Sequence, residues 1–266
     1  MTLRWLRSHP LLTAVVGAAV ALRVSWRPTA EVAAGMTLAQ CLAVAVAVAA
    51  VVTVVAFLAR ASWLAARCRQ AVRGLTRTGA ERALRAAMRR TAVSGVVCVA
   101  GDDRSAFCAG LLRPRVYVTT GAVAGLAPDE LDAVLVHERA HARRWDPLRG
   151  LLRRAAADVL FFVPVTSWWA ARRREHAELS ADGAAIRQVG VPALAGALLS
   201  ATDSRIPIMA AAFDGATDAR IAQLSGEQIP SRHPSLPSLV LSFAGVVAAI
   251  SLFMCTGQAA LAALAL

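Results

Sequence analysis

The sequence predicts a mainly α-helical membrane protein, with about three transmembrane helices and an α+β domain between the second and the last of them. Apolar residues make up 57% of the 266 residues, whereas soluble domains contain about 45–50%. Charged residues contribute only 17%, and long uncharged segments lie near both ends of the chain. Between the second and the last predicted span lie roughly 175 residues, enough for one catalytic or binding domain.

The two N-terminal transmembrane helices are predicted within residues 1–59. The first covers residues 8–26 and contains Arg23; a cleaved signal peptide is the alternative interpretation. The second covers residues 32–59 and has no charge between Glu31 and Arg60, a length sufficient to cross a bilayer. The uncharged run at 236–266 predicts a C-terminal transmembrane helix, with no further domain after it.

The positive charge of the chain is concentrated directly after the second predicted span. Nine arginines lie between Arg60 and Arg90, in a segment that we interpret as an Arg-rich linker helix at 60–93. Arginine-rich segments stay in the cytoplasm, where they can contact the anionic lipids of the inner leaflet. We therefore expect a multi-pass protein of the cell membrane with a cytoplasmic domain at 94–235. The net charge of +12 then requires no nucleic-acid partner.

This domain begins with two β-like runs, at residues 94–100 and 115–120, which predict a small sheet. A helix is expected to begin near Pro128, because proline is favoured in a first turn. Asp129 and Glu130 follow it, where negative charge suits the helix dipole. The small sheet and this helix make the domain an α+β domain.

Two histidines lie four positions apart on this helix, in the sequence His137-Glu138-Arg139-Ala140-His141. Side chains at positions i and i+4 share one helix face, so His137 and His141 can bind the same metal ion. Glu138 would lie beside the water that a catalytic zinc activates, and could take its proton at neutral pH. The pattern predicts a zinc site with Glu138 as the general base.

A third zinc ligand is expected on a second helix that contains Glu178 and Asp182. We predict that Glu178 binds the metal and that Asp182, on the same face, accepts the outer ring N–H of a ligating histidine. Glu175 and His176 are the alternatives for the third ligand. Glu178 would otherwise be an exposed helix carboxylate.

The apolar run at 155–171 limits the topology of the domain. If this run crossed the membrane, Glu178 would lie on the opposite side from His137 and His141, and one zinc could not bind all three. We therefore predict a buried, in-plane or re-entrant hairpin. Its aromatic pair, Trp168 and Trp169, suits the level of the lipid headgroups.

The domain resembles the membrane zinc metallopeptidases of the BlaR/MecR type, and more loosely those of the HtpX type. The similar segments are AFCAGLLRPRVYVTTG at 106–121, DELDAVLV at 129–136 before the histidines, and RWDP at 144–147. The resemblance implies that His137, His141 and Glu178 bind Zn²⁺, as in gluzincins, and that Glu138 is the general base. It also implies proteolysis on the cytoplasmic side, with a winged-helix transcriptional repressor as the substrate of its best-known members. The chain is expected to depart from these members, because the sequence predicts no extracytoplasmic penicillin-binding sensor domain and two rather than more helices before the protease.

A peptide substrate is expected to lie extended beside the zinc. We predict that the strand of Val116, Tyr117, Val118 and Thr119 offers the sheet edge to which it adds; an internal strand is the alternative. The residue that stabilises the oxyanion stays open. The side chains with suitable chemistry are Arg220, His176 and His233.

The leading hypothesis is a membrane zinc endopeptidase that cleaves a cytoplasmic or membrane protein, as in regulatory proteolysis of a repressor. Quality control of membrane proteins is the alternative within the same enzyme class. A non-catalytic regulator that sequesters a repressor is the alternative from another class, although every expected catalytic residue type is present. An arginine-rich nucleic-acid binder would not account for the metal pattern.

Overall fold

The computed structural model of the protein describes residues 38–201, 217–229 and 233–264. Contacts divide the chain into two units, residues 1–55 with 242–266, and residues 56–241. In chain order, the described elements are α1 (Leu38–Arg73), β1 (Arg77–Thr78), α2 (Arg82–Thr91), β2 (Val97–Val99), β3 (Ala106–Ala109), β4 (Arg115–Thr119), α3 (Thr120–Gly125), α4 (Pro128–Arg143), α5 (Asp146–Val159), α6 (Pro164–Gln188), α7 (Val191–Ala201), α8 (Thr217–Ser225) and α9 (Leu236–Leu264).

Two of the described helices are long and apolar enough to cross a membrane. These stretches are Val46–Arg73 in α1 and Leu236–Phe253 in α9. Large apolar side chains on both, such as Leu58 and Phe243, are exposed rather than packed in a protein core. Such surfaces suit a lipid environment, and the two stretches overlap the spans expected at 32–59 and 236–266, of which 32–37 and 265–266 lie outside the described residues. The span expected at 8–26 lies outside the described residues.

The arginine-rich segment at 60–93 is not the single linker helix that the sequence led us to expect. Helix α1 continues to Arg73, Gly74 follows it, and the chain then forms the short strand β1 before α2. Glycine has low helix propensity, and β1 pairs with β2, with Arg77 opposite Val99. The segment thus contributes a strand to the sheet of the domain.

The sheet has four strands in the order β1-β2-β4-β3. Strands β2 and β4 are parallel, whereas β3 is antiparallel to β4, with Phe107 opposite Tyr117. The expected β runs at 94–100 and 115–120 contain β2 and β4, in which valines predominate. Strands β1 and β3 were not expected from the sequence.

Helix α4 is the central helix of the second unit. It begins at Pro128, where the Glu130 carboxylate accepts the backbone N–H of Ala127 at 2.9 Å and substitutes for a capping side chain. Leu131 and Leu135 are buried against side chains of the sheet and of α2. Residues on another face of α4 pack against α6 and α7 in a second cluster, which contains Val136 and Leu194. Packing on these sides fixes α4 relative to α6.

The apolar run at 155–171 forms the tip of a helical hairpin. Helix α5 ends at Val159, a short turn follows, and α6 begins at Pro164. The one acidic residue of the run, Asp158, is paired with Arg60 at 2.7 Å and with Arg154 at 2.9 Å. The hairpin returns the chain toward α4, which allows Glu178 to meet the two histidines. Its position in the plane of a membrane stays a prediction.

Candidate metal centre

The structure brings His137 and His141 of α4 together with Glu178 of α6. The Nε2 atoms of the two histidines are 3.0 Å apart. The carboxylate of Glu178 lies 3.6 Å from His137 Nε2 and 3.6 Å from His141 Nε2. One donor atom from each residue lies within 4.8 Å of the other two. Three potential ligands therefore converge on one point of the cleft.

Each histidine presents its other ring nitrogen to a carboxylate. His137 Nδ1 is 2.9 Å from Asp182 Oδ1, and His141 Nδ1 is 2.8 Å from Asp146 Oδ2. An ionised carboxylate only accepts hydrogen bonds, so the proton of a neutral ring resides on Nδ1 and the Nε2 lone pair faces the cleft. Two lone pairs at this separation repel each other unless a cation lies between them.

The donor spacing fits a tetrahedral zinc ion. Bonds of about 2.0–2.2 Å to nitrogen and oxygen separate neighbouring donors of a tetrahedral ion by about 3.3–3.5 Å. The observed separations of 3.0 and 3.6 Å bracket that range. Three protein donors facing a cleft also leave a fourth position for water or substrate, as a catalytic metal requires.

The ionisation of these groups reflects their mutual attraction. Burial opposes ionisation of Glu178, but the two imidazoles outweigh it and lower the pKa of the carboxyl far below its usual range. Burial likewise opposes protonation of His141, yet Asp146 and Glu178 raise its pKa to about 10. An arrangement that attracts a proton in this way also attracts a metal cation, because the two compete for the same donor atoms.

Glu138 lines the same cleft and is 8% exposed. Burial raises the pKa of its carboxyl, while His137 and His141 act in the opposite direction. The backbone N–H of Cys108 on β3 donates to it, which fixes the carboxylate between α4 and the sheet. A carboxylate with increased proton affinity beside a metal position has the properties of a general base.

Arg220 of α8 holds Asp182 by two hydrogen bonds. Arg220 Nε and Nη2 donate to the Asp182 carboxylate at 2.6 and 2.7 Å, and Asp182 is fully buried. Arg220 Nη1 also lies 3.7 Å from Glu178 Oε2. Arg220 thus contacts the centre chiefly through Asp182, which in turn contacts His137. Of the three oxyanion candidates, Arg220 lines the cleft, whereas His176 and His233 are exposed.

The two alternative third ligands lie away from the cluster. Glu175 is buried, but its carboxylate is bonded to Arg172. His176 is exposed on another side of α6. Among the residues that the structure describes, Glu178 is the one that completes a group of three potential ligands.

The prediction that Val116, Tyr117, Val118 and Thr119 form a substrate-binding edge is wrong. Their strand, β4, lies between β2 and β3, and both of its sides are already paired. The edge next to the metal centre is β3, whose residues Ala106, Phe107 and Cys108 line the cleft. The sequence showed that 116–119 is a strand but not where it lies in the sheet.

The cleft has a volume of about 250 Å³. Acidic and basic groups surround the metal position, and apolar side chains of α4 and α7 form another wall. These apolar residues are Val134, Leu194, Ala197 and Leu198. The cleft therefore combines a polar reaction centre with space for an apolar side chain.

Sequence reasoning did not assign a role to Asp146, and it left the role of Arg220 open. Asp146 lies five residues after His141 and begins α5. The Asp-Pro sequence is typical of a helix start, and its position directly after the zinc motif could have indicated that Asp146 lies near the histidines. Arg220 follows a segment of low periodicity, and its pairing with Asp182 spans 38 residues. No local pattern could indicate that contact.

The arrangement of the site is typical of metallopeptidases. Two helices provide two imidazoles and a carboxylate, a further glutamate lies beside them, and a strand edge lies across the cleft. A comparison with family models agrees, because the model of the BlaR1 peptidase M56 matches residues 8–192. The chain belongs to this family, which confirms the BlaR/MecR-type resemblance and implies a membrane-associated peptidase. No curated protein and no solved structure matches the chain.

Proposed function

We propose that the chain is a zinc endopeptidase of the membrane that cleaves a cytoplasmic or membrane protein. The observation that carries this proposal is the pair of Nε2 atoms 3.0 Å apart, with both Nδ1 atoms facing carboxylates and Glu178 opposite. This arrangement suits a divalent cation, and the family is one of peptidases. The proposed centre is of the gluzincin type.

In this proposal His137, His141 and Glu178 hold the metal. Zinc, when bound, supplies a Lewis acid that polarises the scissile carbonyl and favours loss of a proton from water near neutral pH. The Glu138 carboxylate takes that proton and later delivers it to the leaving amine, so that its own charge is restored at the end of each cycle.

The supporting residues keep the donors in position. Asp146 accepts the Nδ1 proton of His141, and the Asp182 carboxylate lies 2.9 Å from His137 Nδ1, so both Nε2 atoms are directed into the cleft. Arg220 compensates the charge of Asp182, which has no exposure to solvent. We assign Arg220 a positioning role, because its close contacts go to Asp182.

We propose that the substrate lies extended along β3. The backbone N–H of Cys108 points toward Glu138, so Cys108 presents its polar backbone groups away from β4, and by alternation Ala106 does the same. A peptide added to this edge would pass the metal position with its backbone held by hydrogen bonds. The apolar wall at Leu194 and Leu198 would receive an apolar side chain of the substrate.

The nine arginines from Arg60 to Arg90 favour a multi-pass protein with its active site on the cytoplasmic side and in contact with anionic lipids. A cytoplasmic site gives access to soluble regulators, and we propose a winged-helix repressor as the substrate. A trap with Glu138→Gln tests this choice, because a non-cleaving variant retains its substrate. Enrichment of a repressor supports regulatory proteolysis, whereas enrichment of misfolded membrane proteins supports quality control.

Metal dependence tests the proposed activity itself. The full-length protein, purified in detergent, is expected to contain one zinc per chain and to cleave a denatured, fluorescently labelled protein. Removal of zinc by a chelator is expected to abolish cleavage, and addition of zinc to restore it. The exposed His176 lies on the same helix as Glu178, so His176→Ala serves as a matched control that should retain zinc. Cleavage that persists in metal-free protein would contradict the proposal.

A further inference from the structure

A second cavity, of about 440 Å³, lies between α4 and α6 and shares no lining residue with the metal cleft. We call it the arginine cavity, because four guanidinium groups surround it while Val136, Ala140 and Ala184 form its apolar floor. The arginines are Arg139, Arg143, Arg144 and Arg187, and Gln188 completes the lining. Its volume is within the range of ligand pockets, roughly 300–1,000 Å³.

Two of these arginines are held in place by neutral acceptors. Arg139 donates to the Thr91 carbonyl oxygen at 3.0 Å and to Gln188 Oε1 at 2.8 Å. Arg144 donates to the Ser180 carbonyl oxygen at 2.9 Å. These contacts fix the guanidinium groups but do not neutralise them. In the described parts of the chain, no carboxylate forms an ion pair with any of the four arginines.

The arginine cavity therefore carries an uncompensated positive charge. Arg139 and Arg143 are one turn apart on α4 and repel each other. Helices α4 and α6 both end at this cavity, and each C-terminus contributes about half a negative charge. Four guanidinium groups against about one negative charge leave a net charge of about +3. Basic residues that only stabilise the two helix C-termini would not need so large an excess of positive charge.

We propose that the arginine cavity is a binding site for a phosphate group. Guanidinium groups bind phosphate oxygens through paired, charge-assisted hydrogen bonds. Phosphate has enough oxygens to accept hydrogen bonds from guanidinium groups on both helices, whereas one carboxylate can pair fully with only one guanidinium group. The phosphate could come from the headgroup of an anionic phospholipid or from free phosphate, and the chemistry of recognition is the same.

An occupied arginine cavity would connect the ends of α4 and α6. Together these two helices carry His137, His141 and Glu178, so the anion would hold the metal-binding helices against each other. Occupancy should then raise the thermal stability of the domain. This consequence follows whether or not the metal centre is catalytic.

The experiment compares wild-type protein with Arg143→Gln/Arg187→Gln, a pair that is exposed at the cavity rim. Full-length protein in nanodiscs of neutral phosphatidylcholine is titrated with inorganic phosphate at constant ionic strength, with binding followed by calorimetry and by the melting temperature. The double variant is expected to bind phosphate at least about tenfold more weakly, a loss of about 1.4 kcal/mol. Arg82→Gln/Arg89→Gln removes the same charge from exposed positions of α2 and is expected to bind as wild type does.

A second set of nanodiscs contains phosphatidylglycerol and distinguishes the two sources of phosphate. Stabilisation by phosphatidylglycerol that requires Arg143 and Arg187 identifies a lipid headgroup, and the same dependence for free phosphate identifies a soluble ligand. The proposal is overturned if neither form of phosphate stabilises the wild type. Equal losses in the cavity variant and the α2 variant would also overturn it, as would tighter binding of an acidic peptide than of phosphate. Unchanged zinc content and circular dichroism verify that each variant is folded.

Discussion

Two sides of helix α4 carry opposite charge although their residues are adjacent in the sequence. On the metal side, His137, Glu138 and His141 face a cleft that also contains Asp146 and Glu178. On the other side, Arg139 and Arg143 line the arginine cavity, and no acidic residue is among the residues that line it. The α-helical repeat alone separates the two sets. One side is suited to a cation and the other to an anion.

The difference shows that the arginines of this chain have different roles on the two sides of α4. On the metal side, Arg220 is neutralised by Asp182 and contributes to order in the centre. On the cavity side, the guanidinium groups are held by carbonyl and amide oxygens, and their charge remains available. Changes on the two sides should therefore affect different properties.

The largest effect is expected from removal of a metal ligand. His141→Ala and Glu178→Ala should each lower zinc affinity by more than the 10–100-fold that loss of a supporting carboxylate causes, and cleavage should fall with zinc content. Zinc per chain, measured by elemental analysis of the purified proteins, checks this outcome. Full zinc occupancy in both variants would show that the metal side of α4 is not a metal centre.

Asp182→Asn should cost more stability than Asp146→Asn. Asp182 is buried and accepts the two short hydrogen bonds of Arg220, so its neutralisation removes the main compensation of a buried guanidinium group, at about 3–5 kcal/mol. Asp146 is only partly buried. Both variants should weaken zinc binding by about 10–100-fold, because each replaces the charged carboxylate beside a histidine Nδ1 with a neutral amide.

Chemical denaturation and zinc titration measure the two effects separately. Asp129→Asn, an exposed acidic residue in the first turn of α4, is the control for loss of one negative charge. Equal stability of the Asp182 and Asp146 variants would contradict the assignment of Arg220 as a residue that depends on Asp182.

Ala106→Pro should weaken substrate binding at the β3 edge. Proline removes a backbone N–H that points away from β4, so the ladder of the sheet is retained while one hydrogen bond to the peptide is lost. The expected rise in KM is about threefold to tenfold, the value of one hydrogen bond, with an unchanged melting temperature. An unchanged KM would show that the substrate does not add to this strand.

The smallest effect on the metal centre is expected from the arginine cavity. Without phosphate, Arg143→Gln/Arg187→Gln should change zinc affinity by no more than about twofold, as for other surface substitutions. Zinc titration in phosphate-free buffer checks this independence. A tenfold change would mean that the two sides of α4 are coupled even without an anion.

The parts of the molecule that could be predicted from the sequence are those with a local pattern. Spacing by four placed His137 with His141 and Glu178 with Asp182, and the Pro-Asp-Glu sequence located the start of α4. An uncharged run of sufficient length indicated α9. In each case the information lies within one or two helical turns, or within one continuous run.

The remaining features depend on contacts between distant segments. The run of valine, tyrosine and threonine identifies β4 as a strand but contains no information on its neighbours, so its internal position could not be deduced. Strand β1 has only two residues, too few for any periodicity. The pairing of Arg220 with Asp182 and the convergence of four arginines arise from helix packing. Such contacts can be identified only from the tertiary structure.

The central claim is that the metal side of α4 is a catalytic zinc centre in which Glu138 is the base. The most direct measurement is the cleavage rate per bound zinc of Glu138→Gln and wild-type protein, with zinc content determined on the same samples. Both proteins should contain one zinc per chain, and the variant should cleave about 10²–10⁴-fold more slowly, the usual contribution of a general base. An equal rate per zinc in the two proteins would contradict the claim.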